Sequence, residues 1–362
     1  MKGRILWGIT LLIILSIFVF YSNCTKNSVR YEFRKDYYLY TSGGFSSDIT
    51  KLIYVISTQT DSIVDSISLG PYNWPGYLAL SPDKRTLYVL VNVFDTTTSS
   101  FSSIYYEIDT RTKATKYIGP NSSTVISPDG KYLFGAVGRN FTIFDAYTHQ
   151  ITFQDTILFS PVCFDRIAHL AYGAIGRLGE IKIFNYESKR WVRSLNIRLW
   201  DGRIPALDDY TLSPSGNTLY LLARTYDFYF CVFDLTRDSL LVQLGINSVG
   251  QLAIRPDGSK LYLTDPGGGG SCMMIEPMPT EKLGVFDTKT NTPLSSIDLS
   301  ALRDSLDPVP VKPFFIKITP DGKKAYLTVC SSRVLVIDLE RNEPLNVIVV
   351  PKPHQGLDIM AL

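Results

Sequence analysis

One phrase recurs along this chain and constrains its fold more than any other feature. It reads YLALSPDKRTLYVLV at 77–91, STVISPDGKYLFGAV at 123–137, YTLSPSGNTLYLLA at 210–223, LAIRPDGSKLYLTD at 252–265 and IKITPDGKKAYLTV at 316–329. Each copy is a short apolar strand, a turn of Pro-Asp-Gly type, and a second strand ending near an aromatic. Self-similarity on this scale marks a solenoid, a propeller or an array. In Thr319-Pro320-Asp321-Gly322 the proline presets φ at about −65° and the glycine accepts a positive φ, which suits a tight hairpin. Lys84 stands where the other copies have Gly, so a modified turn is expected there; Ser215 replaces Asp.

A second phrase follows each first one, as in YYEIDTRTKATKYIG at 105–119 and LVIDLERNEPLNVIVV at 335–350. Asp109, Asp145, Asp234, Asp287 and Asp338 stand where a side-chain oxygen can accept amides of the turn. Their recurrence follows the turn, so they read as turn caps rather than as metal ligands.

Two phrases make four strands, and four-stranded units repeated around an axis are propeller blades. The turn prolines at 82, 128, 214, 256 and 320 leave one double gap, which VCFDRIAHLAYGAIG at 162–176 fills as a degenerate copy. A seventh unit is split: three strands lie in 37–70 and a lone strand, GLDIMAL, ends the chain. Pairing them closes the ring and removes an open edge. The expectation is an all-β, seven-bladed β-propeller over 37–362, with four-stranded antiparallel blades closed by pairing the C-terminal strand with the N-terminal ones. A hydrophobic leader over 1–24 and a linker over 25–36 precede it.

The runs LSPDKRTLYVLVN, IRPDGSKLYLTD with LGVFDTKTNTPLSSIDL, and ITPDGKKAYLTV with VLVIDLERNEPLNVIVV resemble YVTN-type β-propeller repeats, as in YncE-like proteins. The resemblance covers about 37–362 and implies the fold. Its signature positions are turn and core residues, so it carries over no catalytic residue. The chain departs from it in the fourth unit and in the insertion after Asp265.

Lys2 and Arg4 precede an apolar run over 5–21, followed by Ser22-Asn23-Cys24. The arrangement looks like a bacterial lipoprotein signal with Cys24 as the lipidated residue. Ordinary cleavage after Cys24 and an uncleaved anchor are the alternatives. All three expect export to the cell envelope, attached to the membrane only through the N-terminus. Without Lys2 and Arg4 the chain has 34 basic and 34 acidic residues and no basic cluster, which disfavours nucleic acid. No CxxC or CxxCH occurs. Cys163 and Cys231 read as buried strand thiols. Cys272 and Cys330 are candidates for a disulfide, with two unpaired thiols as the alternative.

Connections between phrases and between blades share one face, and length accumulates there: 70–77, 92–103, 197–209, 266–282, 300–314 and 351–356. Long loops on a rigid scaffold commonly carry binding function. The candidate binding residues are Tyr72, Trp74, Trp200, Arg203, Asp208, Asp209, Lys312 and His354. His149 reads as a solvated turn residue and His169 as a packed strand residue; neither supplies a metal site, and no cofactor is expected. The leading expectation is a monomeric, noncatalytic propeller that binds an envelope protein, peptide or surface polymer. The alternative is a lactonase-like hydrolase or a cofactor-dependent oxidoreductase. Related-looking propellers include such enzymes, and the site would be Arg203, Asp208, Asp209, Lys312 and His354 at the channel mouth.

Overall fold

The computed structural model describes residues 37–362 apart from 44–49, 72, 96–99, 120–121, 138–139, 158, 175–178, 249, 266–280, 303–310, 330–332, 351–356 and 362. The leader, the linker, Cys24, Tyr72, Cys272, Cys330 and His354 therefore lie outside the described residues. The described strands form seven antiparallel sheets of four. Blade 1 holds Tyr38–Gly43, Thr50–Ser57 and Ser62–Pro71, with Leu357–Ala361 as its innermost strand. Blade 2 spans 73–119, blade 3 122–155 and blade 4 160–196; blade 5 spans 206–246, blade 6 252–298 and blade 7 313–349. The C-terminal strand closes the ring as expected, with Tyr40 opposite Ala361 and Thr41 opposite Met360. Each innermost strand touches that of the next blade, and the seventh touches the first.

Two stretches expected as loops are largely strand. Trp74 pairs with Asn92 and Phe94 with Phe101, so Trp74 lies in the innermost strand Asn73–Leu80 rather than in a loop. Pro75 is tolerated because an innermost strand has one edge without a ladder.

The turns follow their sequence chemistry. Ser127 Oγ donates to Asp129 Oδ1 (2.5 Å) and accepts the amide of Tyr132 (3.0 Å), while Gly130 takes φ +75. Lys84 does not modify its turn: it adopts φ 63, and its amide reaches Ser81 O at 2.8 Å as Gly130's reaches Ser127 O. In blade 5 a Ser213–Ser215 hydroxyl pair (3.0 Å) replaces the Ser–Asp bond. The five second-phrase aspartates cap their turns; Asp145, for example, accepts the amides of Tyr147 and Thr148. Blade 4 uses this second turn type in its inner hairpin too, where Asp165 accepts the amides of Ile167 and Ala168. His169 thus sits in a turn at φ 54, against Tyr186, not in a strand.

Apolar side chains gather in seven buried clusters, one at each joint between consecutive blades. Tyr40, Tyr88, Phe134, Tyr172, Tyr220, Tyr262 and Tyr326, one from the second strand of each blade, are all buried. The joint between blades 3 and 4 is mostly aromatic: Phe134 stacks on Phe141, and Phe141, Phe159, Phe184 and Trp191 meet edge to face.

A repeated clasp crosses these joints. The outer hairpin of every blade holds a non-glycine residue in the left-handed region: Asp61, Lys113, His149, Lys189, Asp238, Asn291 and Asn342. That conformation costs an L-residue about 1–2 kcal/mol. Six of these side chains reach back to the preceding blade. Asp61 meets Lys324 (2.6 Å), Lys113 meets Asp65, and His149 meets Glu107 (2.6 Å). Lys189 meets Thr152 O (3.5 Å), Asp238 meets Arg193 (2.6 Å), and Asn342 meets the Tyr262 hydroxyl (3.4 Å). His149 is therefore paired across a joint and largely buried rather than solvated. Asn291 Oδ1 has no partner among the described residues.

The outermost strand of each blade carries one extra residue opposite its neighbour: Val64, Ile118, Thr152, Val192, Leu241, Leu294 and Leu345. Such bulges bend and twist an edge strand.

Candidate functional site

Two arrangements on this scaffold present chemistry to solvent. The first is on the long-loop face at blade 5. Residues 197–205 lead into that blade and are held by their own backbone: the amide of Leu199 donates to Arg203 O (3.0 Å) and that of Gly202 to Leu199 O (2.8 Å). The Trp200 amide donates to Gln243 Oε1 at 2.8 Å. Arg203 then ties this loop to the next one. Its guanidinium donates to Asp201 (2.6 Å), to Thr225 Oγ1 (3.0 Å) and to the Tyr229 hydroxyl (2.9 Å). Two aromatic side chains project from the braced loops: Trp200 is 65% exposed and Tyr226, beside Thr225, is 95% exposed. Asp208, at the start of the blade, is paired with Arg224 (2.9 Å).

The second arrangement lines the axis. In six blades the innermost residue opposite the buried aromatic is Ala79, Val125, Cys163, Thr211, Ala253 or Lys317. Lys317 is the one charge among them. Solvent reaches Lys317 although protein surrounds it, which is the condition of a side chain in a channel. Burial holds its ammonium below the ordinary lysine range, and Asp209 opposes that shift.

Asp209 Oδ2 accepts the amide of Leu252 in blade 6 at 2.7 Å. Gln251 makes the same strap one blade on, accepting the amide of Ile316 at 3.3 Å. Burial pushes the Asp209 carboxyl up to about 6, against the amides of Leu252 and Tyr210 and the charge of Lys317, which pull it down. Cys163 is raised by burial and then by the negative charge of Asp209. Cys163 is partly exposed on its innermost strand and packs against the joint between blades 4 and 5, whereas Cys231 is buried.

The sign of the Asp209 shift gives a testable consequence. An unfolded aspartate titrates at about 3.9. The folded state therefore binds the extra proton, and stability falls as pH rises from about 4 to about 6. Asp209→Asn keeps an acceptor for the Leu252 amide, as Gln251 does for Ile316. The variant is expected to melt with the parent near pH 4 and above it at pH 7.5; parallel melting curves at both pH values would refute the assignment.

Of the sequence candidates, Trp200 and Arg203 share one loop, and Asp208 and Asp209 begin the strand that follows. Lys312 is buried, at 4% exposure. Sequence reading missed Tyr226 and Lys317. Tyr226 lies inside the short hairpin turn between Arg224 and Phe228, with no loop length to mark it, and Lys317 looks like an ordinary outward residue of an alternating strand. Among the described residues no group of three or more His, Cys, Asp or Glu is placed to hold a metal ion.

No family model matches the chain, and no curated protein matches it in sequence. Structural likeness is broad: 1520 solved chains match, so the architecture alone does not select a function. One is hydrazine synthase from Kuenenia stuttgartiensis, with a TM-score of 0.57 and 17% identity, covering 76% of this chain and 86% of that one. At this identity the likeness is one of fold.

Proposed function

We propose that this chain is an exported, envelope-attached propeller that works as a noncatalytic binding module for a protein or peptide. The single observation that carries the reading is the Arg203 brace, which holds two loops together while leaving Trp200 and Tyr226 in solvent. Aromatic side chains on pre-ordered loops are effective anchors, because little conformational freedom is lost when they are covered. The same brace weighs against the enzymatic alternative. Arg203 and Asp208 are engaged with protein partners rather than turned toward a reacting group. Export and attachment rest on Lys2, Arg4, the apolar run 5–21 and Cys24.

The test is capture of partners from the native envelope extract. Trp200→Ala with Tyr226→Ala is expected to lower capture of the bound protein at least about tenfold, since an anchor residue contributes about 2 kcal/mol or more. Tyr147→Ala, on an exposed turn of the opposite face, should leave capture unchanged. Equal capture by the double variant and the parent would refute this face.

A further inference from the structure

We infer that the central channel is a binding site for a small organic acid, whose carboxylate meets Lys317 and whose hydroxyl or ammonium meets Asp209. This goes beyond the loop-face reading and stands independently of it.

The geometry begins with the level of the channel that Lys317 occupies. Its counterparts in five other blades are Ala79, Val125, Cys163, Thr211 and Ala253, all of small or moderate size. Ala361 is the counterpart in blade 1, opposite Tyr40. Ala79, Val125, Cys163, Thr211 and Ala253 are each partly exposed although they lie on innermost strands, so solvent reaches the ring at this level, and Lys317 is exposed there too. Lys317 makes no hydrogen bond and no ion pair among the described residues; its one described interaction is electrostatic, with Asp209. An ammonium has three donors. A channel cation without a direct partner is a functional oddity that an oxyanion resolves, because a charge-assisted hydrogen bond is about twice as strong as a neutral one.

Asp209 restricts what that oxyanion can belong to. A bare anion would meet a neighbouring carboxylate and be repelled. Asp209, however, has about four lone-pair sites, and the amides of Leu252 and Tyr210 occupy two. The remainder accept a donor on the ligand. Blade 5 supplies this acceptor and blade 7 the cation, so the ligand is gripped from two sides of the channel across blade 6. The ring holds both groups on strands rather than on loops, which fixes their relative position before a ligand arrives. The other charged groups named nearby are turned elsewhere: Asp208 is paired with Arg224, and Cys163 is held as its neutral thiol.

The experiment is calorimetric titration of the full-length protein in detergent at pH 7.5. The probes are malate, its deoxy analogue succinate, and inorganic phosphate. Malate is expected to bind about tenfold more tightly than succinate, the difference reporting the donor to Asp209. Lys317→Met should weaken malate at least tenfold, and Lys317→Arg should retain binding. Asp209→Asn should retain binding of both acids and abolish the preference for malate. Each variant's melting curve verifies that it folds. No heat with any probe, unaltered malate affinity in Lys317→Met, or a malate preference that survives Asp209→Asn would each overturn the proposal. So would phosphate binding as tightly as malate, because a bare anion would then suffice.

Discussion

Removal of residues 357–362 is expected to turn a closed ring into an aggregation-prone chain. The strand Leu357–Ala361 is the innermost of blade 1, and it also touches the innermost strands of blades 2 and 7. Its loss exposes the edge of Tyr38–Gly43 and unpairs the register from Tyr40 to Gly43. At roughly 1 kcal/mol per hydrogen bond over this register, the cost is on the order of 5 kcal/mol. Total stability of a folded protein is about 5–15 kcal/mol. The truncated chain should melt about 10 °C or more below the parent and elute as oligomers, since an unpaired edge recruits a strand from another copy. A synthetic peptide of residues 357–362, added in excess, should raise the melting temperature by supplying the missing strand. A truncated monomer that melts with the parent would show that the ring does not depend on this strand.

The second large effect is at Asp61. This residue sits in the outer turn of blade 1 and clasps blade 7, accepting Lys324 Nζ at 2.6 Å and the Tyr326 hydroxyl. Lys324 also donates to Thr58 O at 2.9 Å. Both partners of Asp61 lie in a joint that a linear chain has to close last in sequence, between its seventh and first blades. Asp61→Ala removes the carboxylate shared by Lys324 and the Tyr326 hydroxyl, leaves the half-buried ammonium with only the neutral Thr58 carbonyl named above, and retains the left-handed backbone with no clasp to offset it. Breaking a buried pair from one side costs about 3–5 kcal/mol; with Lys324 partly solvated, about 2–3 kcal/mol is expected. Double replacement with Lys324→Met should recover part of this, because the unpaired charge is then gone. Urea unfolding of the four species in the cycle measures the coupling. A coupling near zero would mean that the clasp is ornamental at this joint.

The repeat phrases made the blades, the degenerate fourth copy, the split seventh unit and the aspartate caps readable without coordinates. Each rests on local chemistry: a proline and glycine at a turn, alternation along a strand, a carboxylate beside free amides. The clasps were not readable. The residues that form them are Asp, Lys, His and Asn in turn, so what repeats is a backbone conformation and a direction of reach, not a side-chain type. The extents of the strands around Trp74 and Phe94 were hidden for a different reason. Proline, glycine, serine and threonine there imitate loop composition, while tertiary pairing with the neighbouring strand overrides it. Lys317 was obscured by geometry alone. On an innermost strand the side chain that alternation assigns to water points into a channel, and sequence does not distinguish the two kinds of water. The Arg203 brace spans a loop and a hairpin whose proximity arises only once blade 5 has formed.

The extra residue in all seven outermost strands has a consequence for crowded conditions. A flat rim strand offers the next molecule a ready template, and molecules that stack rim to rim on such templates grow without limit. Here each perimeter ladder is interrupted within its first few residues, and five of the interruptions turn Val64, Val192, Leu241, Leu294 or Leu345 outward. Two such rims set side by side would present isolated aliphatic side chains to each other instead of a continuous ladder. The interruptions thus act against edge-to-edge strand pairing between copies.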